Sequence, residues 1–185
     1  MLSEKDKCRQ GLFYDANYDP ELIAERMKCK DLCFRYNQLL PSLLEDRRQL
    51  MRQLLGSTGS MFLIEQPFYC DYGYNITIGE NFYSNVNCVM LDSASITFGD
   101  HVFVAPNCGF YTAGHPLDVA SRNQGLEYGY PITVGNNVWI GANVSVLPGV
   151  AIGDNCVIGA GSVVNRDIPA DSLAVGNPCR VIRKL

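Results

Sequence analysis

The two histidines of this 185-residue chain are its first candidates for proton transfer, and their settings differ. An imidazole titrates near neutral pH, so it can take a proton from a hydroxyl group and return one to a leaving group. His101 ends the segment ITFGDH (96–101), whose copies elsewhere end in Asn, and we interpret it as a surface corner. His115 stands in the sequence Gly-His-Pro and is a candidate general base, with an ordinary loop residue as the alternative.

A period of six residues governs the second half of the chain. Aliphatic residues recur at every sixth position: Val134, Ile140, Val146, Ile152, Ile158 and Val164. An earlier run repeats the pattern at Phe98, Val104 and Phe110. Neither the helical period of 3.6 nor the strand alternation of 2 explains a period of six. A coil of three short parallel strands does, because each hexapeptide forms one face of a triangular prism. We therefore predict an all-β parallel β-helix.

A longer signature overlies the hexapeptides and places an insertion. In each copy of this signature an apolar residue precedes a Gly. These apolar residues stand at 78, 98, 134 and 152, which gives spacings of 20, 36 and 18. We interpret 18 as three hexapeptides, 36 as six, and 20 as a coil with two extra residues near Leu91 and Asp92. The pattern lapses between Tyr111 and Tyr130 without losing its phase, as expected for a loop thrown out from one corner. Such loops commonly carry function, and this one contains His115.

The first sixty residues are different in character. Asp19 followed by Pro20 predicts the start of an amphipathic helix that ends before Pro41, and the sequence Ser-Leu-Leu-Glu (42–45) predicts a capping box that opens a second helix closed by Gly56. We expect these helices to cover the open end of the prism. The predicted organisation is a helical segment at 1–58, a β-helix at 59–170 with its inserted loop at about 111–131, and a basic tail at 171–185.

Composition and charge exclude several classes of protein. The net charge is −4, and no stripe of Lys and Arg is left to follow a phosphate backbone, so we expect no nucleic-acid partner. No apolar run approaches the length of a membrane span and no signal peptide is apparent, so we expect a soluble cytoplasmic protein without a membrane partner. The eight cysteines contain no Cys-x-x-Cys, and we expect free thiols and no metal.

These features resemble a known family, the left-handed β-helix hexapeptide-repeat acyltransferases. Over nearly its whole length the chain looks most like the maltose/galactoside O-acetyltransferase group. The matching segments are 70–76 (CDYGYNI), 81–85 (NFYSN), 114–116 (GHP), 131–141 (PITVGNNVWIG), 147–150 (LPGV) and 176–183 (GNPCRVIR). The resemblance implies transfer of an acetyl group from acetyl-CoA to a sugar hydroxyl, with His115 as the general base.

The resemblance also implies which residues surround the acceptor sugar. Asn85 would reach the site from a neighbouring subunit, although a corner Asn with left-handed dihedrals is the alternative. Glu127 would orient His115 or is a solvated loop acid. The implied acceptor contacts are Asp71, Tyr83, Asp92 and Ser93, together with either Asp15 or Asn17.

For acetyl-CoA, the resemblance implies a slot for the pantetheine arm and cations for the phosphates. Trp139 is the sole tryptophan and falls at an outward position, where the arm would lie against it. The remaining implied contacts are Ala105, Gly141, Ala142, Ala160, Asn165, Arg166, Arg180 and Arg183. Arg suits phosphate oxygens geometrically, and a solvated tail is the alternative for the basic residues.

The middle of the chain carries very little positive charge, which bears on its assembly. Residues 61–165 contain a single basic residue, Arg122, and such neutral faces favour oligomerisation. The family forms homotrimers with active sites between subunits, which we expect here.

Two rival functions on the same fold do not suit this sequence. A γ-type carbonic anhydrase needs three histidines for its metal, and this chain has two. An ice-binding scaffold needs a regular ladder of Thr, and we do not find such a ladder. An acetyltransferase for another acceptor, such as a xenobiotic hydroxyl or a cell-surface sugar, stays open.

Overall fold

Short parallel strands wind the chain into six coils of a triangular prism. The computed structural model describes residues 2–185. The strands are β1 (Tyr14–Asp15), β2 (Ser57–Thr58), β3 (Phe62–Ile64), β4 (Phe68–Cys70), β5 (Ile76–Ile78), β6 (Phe82–Ser84), β7 (Cys88–Leu91), β8 (Ile96–Phe98), β9 (Phe103–Val104), β10 (Gly109–Tyr111), β11 (Ala113–Gly114), β12 (Leu126–Gly129), β13 (Ile132–Val134), β14 (Trp139–Ile140), β15 (Ser145–Val146), β16 (Ala151–Ile152), β17 (Val157–Ile158), β18 (Val163–Val164), β19 (Ser172–Val175) and β20 (Arg180–Lys184).

Three sheets form the faces of the prism. Face 2 takes one strand from each of the six coils, and faces 1 and 3 take one strand from each of the first five. Face 1 has the order β2-β5-β8-β13-β16, face 2 the order β3-β6-β9-β14-β17-β19-β20, and face 3 the order β4-β7-β10-β15-β18. Except for the antiparallel pair β19 and β20, neighbouring strands of the faces are parallel. The predicted parallel β-helix is confirmed.

The register explains the unequal spacing of the sequence signature. Phe98 lies opposite Val134, and Val134 lies opposite Ile152. Residues 36 positions apart are therefore neighbours in adjacent coils, so our interpretation of 36 as six hexapeptides was wrong. That spacing is one coil of 18 residues plus an insertion of equal length. Because the insertion matches one coil in length, the period of six continues through it in phase.

Polar ladders hold the corners where the backbone turns. Asn and one His adopt positive φ at successive corners, where a non-glycine residue other than Asn, Asp or His would be strained. The Nδ2 group of Asn137 donates to Asn155 and that of Asn155 donates to Asp171, at 3.1 and 2.8 Å. His101 has φ 56° at an equivalent corner. Its predicted role as a corner residue is confirmed.

Aliphatic and aromatic side chains fill the prism. Phe82, Phe98 and Phe110 form a continuous column, with ring centroids 5.0 and 4.9 Å apart. All three rings are buried. On the outside of face 1, Thr77, Thr97 and Thr133 lie in one column, which the sequence analysis had not recognised. The column ends at Ser57 and Ala151, so it is three threonines long.

Helix α2 (Pro20–Asn37) packs against β4 of the first coil, and α3 (Leu44–Leu54) packs against α2. Helix α1 (Glu4–Arg9) packs instead against β1 and β12, and α4 (Val119–Asn123) lies in the inserted loop. Asp19 caps α2 through the backbone N–H of Leu22, as predicted. The predicted capping box at Ser42 does not form, because α3 begins one residue later than that pattern requires, with Leu43 at its N-cap and no side-chain cap. Helix α1 was not predicted.

The C-terminal segment also differs from the prediction. The β-helix continues beyond residue 170, because β19 pairs in parallel with β17. The basic tail then turns back as β20 and pairs with β19 in antiparallel fashion. Within residues 2–185, no helix combines the length and apolar character needed to cross a lipid bilayer.

Candidate active site

A small sheet on the side of the prism positions His115. The inserted loop leaves the corner between faces 3 and 1, and its strands β11 and β12 pair with each other. Strand β12 also pairs with β1 from the N-terminal segment, which places Tyr14 opposite Glu127 and Asp15 opposite Leu126. The loop is therefore held at both ends. His115 directly follows β11.

The hydrogen bond of His115 determines its tautomer. Its Nδ1 atom lies 2.9 Å from the carbonyl oxygen of Leu126. A carbonyl oxygen only accepts, so Nδ1 carries the proton of the neutral ring and Nε2 keeps its lone pair. The side chain is exposed, so this lone pair can reach a substrate. The arrangement is that of a general base oriented by its second nitrogen.

Glu127 has a different role from the one predicted. The Leu126 carbonyl, and not the Glu127 carboxylate, is the partner of His115 Nδ1. The hydroxyl of Tyr14 donates to Glu127 Oε2 at 3.2 Å, and Asn17 Nδ2 donates to Oε1 at 3.5 Å. Asn17 also donates to the carbonyl of Gly125 at 2.7 Å. Glu127 and Asn17 thus tie the N-terminal segment to the loop that carries His115.

Several predicted acceptor residues share this edge of the prism with His115. We name this edge, with Asp15, Asn17, Asp71, His115 and Glu127, the loop edge. Asp71 follows β4 at the corner between faces 3 and 1. Burial raises the pKa of its carboxyl, and Arg26 opposes this effect. Asp15 uses Oδ1 to accept from the N–H groups of Asn17 and Tyr18, at 3.1 and 2.9 Å. Carboxylates of this kind can accept hydrogen bonds from sugar hydroxyls.

Asp92 does not belong to the accessible part of this edge, contrary to the prediction. It is fully buried, with 0% of its surface exposed. Its Oδ1 accepts from the N–H groups of Asp71 and Tyr72, at 2.9 and 2.8 Å. Burial raises its pKa to about 6. Asp92 therefore shapes the corner that presents Asp71. Ser93 lines a separate cavity of about 500 Å³ beneath α1.

A second group of predicted residues lies on face 2 and its edge with face 3, and we name it the face 2 site. It contains Tyr83, Asn85, Ala105, Trp139, Gly141, Ala142 and Ala160. Trp139 is 57% exposed and stands between Phe103 and Val157 of the adjacent coils. Phe103 is also exposed, and the two aromatic rings line a hollow of about 300 Å³. Sequence analysis missed Phe103, although it stands 36 residues before Trp139 at the same point of the repeat.

Asn85 and the small residues fit polar and steric roles in the face 2 site. Asn85 is absent from the positive-φ positions, so it is not the corner residue offered as the alternative. Its Oδ1 accepts from the N–H of Val86 at 2.8 Å, which leaves Nδ2 to donate elsewhere. A Cβ on Gly141 would lie 2.6 Å from the backbone N of Ala160. The backbone N–H of Gly141 donates to the carbonyl oxygen of Ile158. The backbone N–H of the next residue, Ala142, is therefore the one left for a substrate oxygen.

The basic residues near the C-terminus extend the same face. Arg180 Nη1 donates to Asn165 Oδ1 at 3.1 Å. Arg183 lies opposite Leu173 in the terminal pair of strands, and Arg166 is exposed. Arg180 and Arg183 are therefore carried by β20 at the end of face 2, whereas Arg166 follows β18 of face 3. They can offer positive charge to an anion bound along that face.

The loop edge and the face 2 site lie on different corners of one chain. His115 leaves the prism after β10 of face 3, whereas Asn85 follows β6 at the corner between faces 2 and 3. Trp139 lies on β14, the fourth of the seven strands of face 2. His115 and the aromatic surface of Trp139 thus project from different sides of the prism.

Family models match two parts of the chain. The maltose acetyltransferase hexapeptide capping motif matches residues 7–59, and the bacterial transferase hexapeptide model, with six repeats, matches residues 131–166. A protein of Saccharomyces cerevisiae that is provisionally named an acetyltransferase is 58% identical over 175 residues, which cover 95% of this chain and 89% of that protein.

Solved structures agree with these matches. A maltose O-acetyltransferase from Clostridium difficile 630 superposes with a TM-score of 0.98 at 52% identity, covering 100% of this chain and 98% of that one. A galactoside acetyltransferase in complex with coenzyme A superposes with a TM-score of 0.96 at 42% identity, covering 100% of this chain and 92% of that one. The predicted left-handed β-helix with a small helical segment is confirmed.

Proposed function

We propose that this chain, which belongs to the maltose/galactoside O-acetyltransferase group of the left-handed β-helix hexapeptide-repeat acyltransferases, moves an acetyl group from acetyl-CoA to a sugar hydroxyl. The observation that carries the proposal is the hydrogen bond from His115 Nδ1 to the Leu126 carbonyl, at 2.9 Å. It prepares Nε2 as a base on an exposed loop. An acetyl thioester is already activated, so proton removal from the hydroxyl is the main help that the reaction needs.

In the proposed reaction, His115 acts twice. Its Nε2 takes the proton of the acceptor hydroxyl while the hydroxyl oxygen forms a bond to the acetyl carbonyl carbon. The C–S bond then breaks, and the imidazolium returns the proton to the departing thiolate. Asn85 Nδ2 and the Ala142 N–H can donate to the carbonyl oxygen as its negative charge develops. Asp71 and Asp15 accept hydrogen bonds from other hydroxyls of the sugar and so orient it.

We assign acetyl-CoA to the face 2 site. The aromatic surface of Trp139 and Phe103 offers an apolar wall for the pantetheine arm, and Gly141 lets the arm approach the backbone. Arg180 and Arg183 lie on β20 of the same face, Arg166 follows β18 of face 3, and these three cations would hold the phosphates. The relative that is described in complex with coenzyme A has the same fold over the whole of this chain, which supports the assignment.

A complete site then requires a second copy of the chain. The loop edge of one copy holds the acceptor and His115, whereas the face 2 site of a neighbour supplies Asn85 and acetyl-CoA. A closed ring of copies satisfies this arrangement, because each copy presents one loop edge and one face 2 site, and the family resemblance implies that the ring has three copies. We therefore propose a homotrimer with three active sites between subunits.

The experiment that tests this function measures release of free thiol from acetyl-CoA by the purified protein. The acceptor panel contains glucose, maltose, a β-galactoside, an amino sugar and chloramphenicol. Turnover with a neutral sugar, lost in His115→Ala and kept in Asp31→Asn, an exposed position on α2, supports the proposal. Turnover with chloramphenicol or the amino sugar alone would replace the sugar hydroxyl by that acceptor. Turnover that survives in His115→Ala would refute the role of His115.

A further inference from the structure

Three cysteines from two separate elements meet beneath the helical cap. Cys29 and Cys33 lie one turn apart on α2, and Cys70 is the last residue of β4. The Sγ atom of Cys70 is 3.5 Å from that of Cys29 and 3.8 Å from that of Cys33. All three sulfurs lie within 4.8 Å of one another, and their residues are at most 5% exposed. We name this group the thiol cluster.

The spacing of these sulfurs matches what a small ion needs. Metal–sulfur bonds to thiolates are about 2.3 Å long, so three sulfurs around one ion in a plane would be roughly 4 Å apart. The distances in the thiol cluster are close to this value. An ion at the centre would therefore need little movement of α2 or β4. Soft thiolate ligands of this kind select ions such as Cu(I) over hard oxygen-seeking cations.

An entry path reaches the cluster from the surface. A cavity of about 510 Å³ is lined by Cys33 and Cys70, together with Lys30, Asn37, Tyr69 and Asp71. Its wall continues into the loop edge through Asp71, the residue after Cys70. An ion could thus enter without unfolding the helical cap. The sequence predicts free thiols, because Cys29, Cys33 and Cys70 do not form a Cys-x-x-Cys pattern.

We propose that Cys29, Cys33 and Cys70 bind one soft, thiolate-seeking metal ion of the Cu(I) type through three sulfur atoms. Three sulfur–metal bonds form, and the protons of the thiols pass to solvent. The ion enters and stays as Cu(I), so nothing is oxidised or reduced. This site is separate from the proposed acetyl transfer and does not depend on it.

The test is an anaerobic titration of the full-length protein, reduced with a phosphine, against a chromophoric Cu(I) chelator. We expect one Cu(I) per wild-type chain. Removing one sulfur should weaken binding at least about 100-fold, so Cys29→Ser, Cys33→Ser and Cys70→Ser should all lose it. The matched control is Cys8→Ser, because Cys8 is equally buried but packs in a different cluster. It should bind like the wild type.

A second readout keeps the test independent of folding defects. Cu(I) should raise the Tm of the wild type and of Cys8→Ser, but not of Cys33→Ser, whose side chain borders the cavity. Circular dichroism in the far ultraviolet establishes that each variant is folded before it is scored. Less than one ion per chain in the wild type would overturn the proposal, as would equal loss in the Cys8→Ser control. Tighter binding of Zn(II) than of Cu(I) would overturn the three-sulfur assignment.

Discussion

The imidazole of His115 donates from Nδ1 to the carbonyl oxygen of Leu126, the residue that stands opposite Asp15 in the small sheet beside the prism. One backbone carbonyl thus links the base to the N-terminal segment. Since β12 is held between β1 and β11, the position of the carbonyl is determined by two strand pairings. The N-terminal segment for this reason helps to position His115 as well as capping the β-helix.

Replacement of His115 should remove the general base and little else. We expect His115→Ala to lower kcat by a factor of about 10² to 10⁴, the usual contribution of a positioned base. The KM for acetyl-CoA should stay within about threefold, because the face 2 site is untouched. Steady-state kinetics with both substrates checks this. The control is Asp31→Asn, which changes an exposed side chain on α2 outside the loop edge and the face 2 site. A similar loss of kcat in the control would contradict the assignment.

Mixed assemblies should report whether two chains build each site. His115→Ala and Asn85→Ala should each be nearly inactive alone. In mixed trimers, a site is intact when one subunit keeps His115 and its neighbour keeps Asn85, so every trimer that contains both variants has one intact site of three and should show about a third of wild-type activity. Co-expression of two differently tagged variants, followed by tandem purification, provides the mixed species. Activity no higher than the sum of the separate variants would mean that both residues serve the same site from one chain.

Trp139 should matter for acetyl-CoA and not for the acceptor. Its side chain is 57% exposed, so its removal costs the fold little, but it would take away the wall of the pantetheine slot. We expect Trp139→Ala to raise the KM for acetyl-CoA about tenfold, the effect of losing a contact worth roughly 1.4 kcal/mol. Phe34→Ala removes an exposed aromatic ring from α2 and is the matched control. An unchanged KM in Trp139→Ala would place the coenzyme elsewhere.

Asp92 should make stability depend on pH between about 4 and 6. Burial raises the pKa of its carboxyl from 3.8 to about 6, so the folded protein keeps a proton that the unfolded chain has lost. The free energy of unfolding should therefore fall as pH rises through this window, by up to about 3 kcal/mol, and then level off. Asp92→Asn carries no charge, so it should match the wild type near pH 4 and exceed it near pH 7.

Urea unfolding followed by circular dichroism at pH 4, 5, 6 and 7 measures this difference. Asp31→Asn is the control, since Asp31 is exposed on α2 and its replacement should leave the pH dependence unchanged. If the free energy of unfolding changes with pH in the same way in Asp92→Asn and the wild type, the Asp92 carboxyl is ionised at no cost in the folded protein.

The sequence predicted the architecture because a β-helix is built from local repetition. One aliphatic residue in six marks the interior of every coil, so Val134, Ile140 and Val146 reveal the fold without knowledge of distant contacts. The inserted loop was visible for the same reason, as an interruption of a regular pattern. His101 could be assigned to a corner because equivalent corners carry Asn.

Contacts between distant parts of the chain were not visible in this way. The interpretation of the spacing of 36 was wrong, because an insertion as long as one coil preserves the phase. The partner of His115 was missed because a backbone carbonyl leaves no mark on the residue type at position 126. The burial of Asp92 and the meeting of Cys29 and Cys33 with Cys70 depend on how α2 docks against β4.

The sequence by itself determined the repeating β-helix, the position of its inserted loop and the residue types that the proposed chemistry uses. These follow from short-range periodicity, since each hexapeptide must bury its own aliphatic residue. The tertiary structure decided which side chains meet: His115 with the Leu126 carbonyl, Glu127 with Tyr14, and three thiols beneath the cap. Such meetings depend on the docking of separate elements through packing and hydrogen bonds, and no local pattern in the chain encodes them.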